Sequence, residues 1–65
     1  MLSNLENNLL KELDKQNFKA NVIAVVMKKL DNDSKRNKFL SFLIENRNVI
    51  LSQVDLFKNI NQMEE

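Results

Sequence analysis

The sequence predicts an all-α protein, a small three- or four-helix bundle completed by homodimerisation. Three observations predict it. No glycine or proline occurs in the 65 residues, so nothing cheaply holds a left-handed backbone and nothing forbids a helix. Apolar residues recur at the three- and four-residue spacing of a helix face through most of the chain. Hydrophobic residues make up 43% of it, yet a domain of this length hides only about 60% of its unfolded surface. An AT-rich codon bias accounts for part of the missing glycine and proline, since the chain holds eleven Asn but two Ala and two Arg. The consequence is the same either way: helix ends and turns must be built by Asn, Asp and Ser.

Residues 1–65 read as a single helical domain. The first helix is expected over 3–15. Ser3-Asn4-Leu5-Glu6 has the form of a capping box, in which the Ser3 hydroxyl accepts from the Glu6 amide while the Glu6 carboxylate reaches back. Leu2, Leu5, Leu9, Leu10 and Leu13 follow on an arc of about 140°. The second helix is expected over 17–31, with Asn17 as its cap and Phe18 opening its apolar face. That face is wide. Phe18, Ala20, Val22, Ile23, Ala24, Val25, Val26, Met27 and Leu30 spread over about 260°, against little more than 100° for a helix facing one core. Val22 to Met27 has the β-branched content of a buried strand, but no other segment offers it a strand partner.

Asp31-Asn32-Asp33-Ser34 is the clearest turn, and Asp33 or Ser34 is placed to cap a third helix over 34–46. Its apolar residues Phe39, Leu40, Phe42, Leu43 and Ile44 fill about 200°. Asn46-Arg47-Asn48 is a softer break. A fourth helix over 48–60 would carry Val49, Ile50, Val54, Leu56, Phe57 and Ile60 on one stripe, although Ser52-Gln53-Val54-Asp55 offers a later start. The polar segment from Asn59 to Glu65 is expected to fray.

The formal net charge of +1 implies no partner by itself. Without Cys or His there is no disulfide, no thiolate nucleophile, no imidazole base and no ordinary zinc site. Without Gly there is no phosphate-cradling loop. The nearest carboxylate pairs, Asp31 with Asp33 and Glu12 with Asp14, lie in segments expected to be exposed. No enzyme activity, cofactor or metal is expected. No apolar run is long enough to span a membrane, and Glu6, Asn7 and Asn8 stand where a signal peptide would need an apolar run, so a cytoplasmic protein is expected.

Two surfaces remain as candidates. The second and third helices carry about twice the apolar width one bundle needs, and monomers rarely expose apolar patches above a few hundred Å². A symmetric dimer through Phe18, Val22, Val26, Met27, Phe39 and Leu43 would absorb the excess. The expected function is therefore a small homodimeric accessory or regulatory protein, of a size and codon bias that suit a bacterium, phage or plasmid, acting through protein–protein contact. The alternative is a dimeric nucleic-acid-binding regulator. Lys28, Lys29, Lys35, Arg36 and Lys38 surround the central turn, and Lys35, Arg36 and Lys38 sit against the dipole of the third helix. With Ser34 they suit the start of a recognition helix. Local Asp31 and Asp33 can also simply neutralise them. No motif is specific enough to name a family.

Overall fold

The computed structural model describes residues 3–63. Leu2, Glu64 and Glu65 lie outside them. The described residues form four helices and no strand: α1 (Asn4–Lys15), α2 (Ala20–Lys29), α3 (Asp33–Glu45) and α4 (Gln53–Met63). Val22 to Met27 is helical despite its β-branched residues.

α1 starts where its capping box directs. Glu6 N donates to Ser3 Oγ at 3.2 Å, and Ser3 N donates to Glu6 Oε1 at 3.4 Å. Its far end differs from the sequence expectation. Asn17 does not cap α2; it adopts φ 64°, the left-handed conformation that closes α1. Asn17 N donates to Asp14 O at 2.9 Å and Phe18 N to Leu13 O at 3.4 Å, the pair of bonds that defines a Schellman motif. Asn is the residue, after Gly, that tolerates this geometry best. Three residues are thereby spent on ending α1, and α2 begins at Ala20 rather than at residue 17.

α3 is capped by Asn32, whose side chain accepts from Lys35 N at 2.9 Å, so the helix includes Asp33. It stops at Glu45. The Asn46 side chain turns back to donate to Phe42 O at 2.8 Å, and Val49 N donates to Asn46 O at 3.0 Å. The break at residues 46–48 therefore ends the helix. α4 takes the later of its two possible starts, because Ser52 and Asp55 bond reciprocally: Asp55 N to Ser52 Oγ at 3.2 Å and Ser52 N to Asp55 Oδ2 at 2.9 Å. The apolar stripe of α4 shifts with its start. Leu56 and Ile60 are buried, whereas Val49, Ile50 and Val54 are exposed. The helix also continues past Asn59 to Met63.

The helices meet in a ring. α1 packs chiefly on α3 and also on α2, while α4 packs on both α2 and α3. α2 and α3 follow one another in the chain, yet their backbones do not approach closely. One apolar cluster fills the centre: Leu9 and Leu13 from α1, Val26 and Leu30 from α2 and its cap, Phe39 and Leu43 from α3, Leu51, and Leu56 and Ile60 from α4.

Candidate interaction surfaces

The basic turn is largely self-compensated. Lys35 Nζ lies 3.2 Å from Asp31 Oδ1, and Arg36 donates to Asp33 Oδ1 at 2.9 Å. Asn32 satisfies a first-turn amide of α3 and Asp33 places a carboxylate near its positive end, which offsets the adverse cations. Ser34 is exposed and does not cap. Lys28, Lys29 and Lys38 are exposed and form no ion pair among the described residues. The compact helix–turn–helix unit needs its two helices packed together. Here the backbones of α2 and α3 do not approach closely, and their contact runs through the side chains of the shared core.

A second polar constellation lies where α1 faces the α3–α4 link. Arg47 donates through Nε to Glu12 Oε1 at 3.0 Å and through a terminal nitrogen to Oε2 at 2.9 Å, a fork-on-carboxylate pair between residues 35 apart in sequence. Lys15 reaches the same Oε2 at 3.4 Å. Glu12 is buried, against the expectation that its segment would be exposed. The Arg47 hydrogen bond holds its carboxyl below the ordinary glutamate value; burial opposes this and Lys15 assists. Glu12 and Asp14 do not form a carboxylate pair, since they line different concavities on opposite flanks of α1. The geometry here is that of a brace. It ties the end of α1 to a link whose other end is fixed by the Ser52–Asp55 bonds.

The six residues expected at a dimer interface separate into two groups. Val26, Phe39 and Leu43 are at most 1% exposed within the single chain, so they have no surface for a partner. The ring arrangement turns the buried stripes of all four helices onto one core, which takes more of the apolar width than separate stripes would suggest. The Phe39 ring lies tilted against that of Phe42, with centroids 5.8 Å apart and planes at 35°. Phe18, Val22 and Met27 are half-buried and pack on the rim of that core. For Phe18 the cause is local: it follows the left-handed Asn17 and folds back over α1, as the closing apolar residue of a Schellman motif does.

What α2 leaves open lies on its other flank. Between α1 and α2 runs a shallow groove of about 580 Å³. Its floor is Leu10, Ala20, Ile23, Ala24 and Met27, and Lys11 and Asp14 stand on the α1 rim. The short alanine side chains at one-turn spacing make the depression. No matching family model, similar curated protein or similar solved structure was found for this chain. The surfaces must be read from their own chemistry. The groove contributes Met27 from the six interface residues expected from sequence. Leu10, Ile23 and the two alanines were present in the apolar arcs but not distinguished from core. A further apolar feature is the link itself: Ile50 is 97% exposed, beside the half-exposed Val49 and near exposed Val54 on α4. No helix among the described residues is long and apolar enough to cross a membrane.

Proposed function

We propose that this chain is a small, non-catalytic accessory or regulatory protein that works through protein–protein contact as a homodimer, with the contact centred on the groove between α1 and α2. The observation that carries this reading is the groove: an apolar floor open to water, on the helix whose apolar arc exceeds what its own core consumes. Burying such a floor is favourable by roughly 25 cal/mol for each Å² removed from water. Three further features support it. Met27 sits in the groove, and its unbranched thioether adapts to an irregular partner surface. The chain has no disulfide to supplement a small core, and a second subunit is a common substitute. Val25, on another face of α2, is also exposed, so the core does not consume the whole apolar arc of that helix.

Sedimentation equilibrium of the full chain tests the proposal. The expected result is a reversible dimer at micromolar concentration, dissociated by Ala24→Glu with helical content unchanged. A wild-type chain that stays monomeric throughout the micromolar range overturns it.

A further inference from the structure

We infer that the occupant of the α1/α2 groove is a second copy of this chain set about a two-fold axis, with the two α2 helices antiparallel and Lys11 of each subunit paired with the partner subunit's Asp14. This rests on the interaction reading above and gives it a register.

The order of side chains along the groove carries the first half of the inference. Ala20, Ile23, Ala24 and Met27 face it in sequence. Reversal about the midpoint between Ile23 and Ala24 sets Ala20 opposite the partner's Met27, and Ile23 opposite the partner's Ala24. Every large side chain then meets a small one, as close packing demands. A parallel pairing in register would instead oppose Met27 to itself and Ala20 to itself, with a clash at one level and a void at another. A two-fold contact is mutual, so wherever one residue meets a different one in the partner, the same pair recurs on the other side of the axis.

The rim carries the second half. Lys11 and Asp14 are exposed, stand on the same α1 edge of the groove, and enter no ion pair among the described residues. The same reversal, applied to α1 about the midpoint between Glu12 and Leu13, brings Lys11 opposite the partner's Asp14 twice over. The residues of both patterns line one groove, and the inferred dimer sets both midpoints on one axis. Opposite charges across an interface rim fix register and exclude wrong alignments.

The test exchanges the charges. Lys11→Glu and Asp14→Lys are each prepared in the full chain; both positions are exposed and helix-compatible, and circular dichroism checks the fold. Each variant alone faces like charge at both rim contacts. Its dimer dissociation constant is expected to rise about tenfold or more at low salt. An equimolar mixture of the two variants restores complementary pairs at both contacts, so a heterodimer of near wild-type affinity should form, counted by native mass spectrometry. A wild-type dimer that is indifferent to both substitutions, or a mixture that fails to form the heterodimer, overturns the two-fold register and leaves the dimer itself standing. A monomeric wild type overturns both.

Discussion

The two links that flank α3 look alike in sequence and behave differently in space. Each is free of glycine, relies on an Asn at a helix end, and has an arginine close by in the sequence. Around the start of α3, the charges that are answered are answered within four residues, Lys35 by Asp31 and Arg36 by Asp33, while Lys38 enters no ion pair among the described residues. In the link after α3, Arg47 reaches Glu12 on another helix, 35 residues away. The first arrangement neutralises a helix start, at the surface, where such pairs contribute little. The second joins α1 to the α3–α4 link with a forked pair on a buried carboxylate. A cluster of charge is thus a poor guide to where charge matters; the single arginine in the quieter segment makes the tertiary contact.

The largest way to break this contrast is beneath the first link, not within it. Phe39, nearly two turns into α3, is fully buried, and its truncation leaves a cavity in the core. Phe39→Ala is expected to cost about 3–5 kcal/mol, enough to unfold much of a small domain, in thermal melts followed by circular dichroism. A small change in melting temperature would return Phe39 to the surface role anticipated from sequence.

Glu12→Gln comes next. The amide keeps the shape but loses the charge-assisted fork, at a cost of about 1–2 kcal/mol. In a domain of this size each kcal/mol lowers Tm by about 4–8 °C. The pH dependence gives a sharper reading. The folded Glu12 carboxyl titrates below the ordinary value of 4.5, chiefly because Arg47 bonds its ionised form. Its contribution is therefore complete above that value and is lost as pH falls through the lower, folded value. Stability should decline below about pH 4.5 in the wild type, with a shallower decline in Glu12→Gln; identical acid limbs would remove the brace from the account.

The smallest effect belongs to the basic turn. Replacing Lys35, Arg36 and Lys38 together by Ala should change stability by less than about 1 kcal/mol, because ion pairs to exposed carboxylates and adverse dipole terms are both small and partly cancel. The same variant distinguishes the nucleic-acid alternative. A salt-sensitive mobility shift of DNA or RNA by the wild type, lost in the triple variant, would make this turn the functional surface after all.

Residues that act on near neighbours were legible in the sequence. Ser3 and Glu6 marked the start of α1, and Asp31 to Ser34 marked a turn, because capping is chemistry over three or four residues. Asn17 misled because the same side chain suits both ends of a helix: it caps an N-terminus from an extended backbone and closes a C-terminus from a left-handed one. Only the Phe18-to-Leu13 bond decides between them. The start of α4 was ambiguous for a similar reason. Val49 and Ile50 continued an apolar rhythm, but the reciprocal Ser52–Asp55 bonds outweigh a rhythm with no core beneath it. The Glu12–Arg47 pair could not be read at all, since nothing local relates the two. The wide arc of α2 was visible as an excess, but its division between core and groove depends on where α1 and α4 lie.

The ring of helices also has a consequence in time. In an up-and-down bundle, each helix docks on the one just made, and the chain closes only short loops on the way. Here the main partner of α1 is α3, with all of α2 intervening, and the sequential pair α2 and α3 occupies a diagonal. The dominant contact must therefore close a loop containing an entire helix before its burial is gained, a non-local step of the kind that slows folding. Early assembly should wait on Leu9 and Leu13 finding Phe39 and Leu43. A half-made chain leaving the ribosome carries α1 and α2 without α3 and α4 to cover the core residues Leu9, Leu13, Val26 and Leu30, which makes that stage the one most prone to sticking to its own kind.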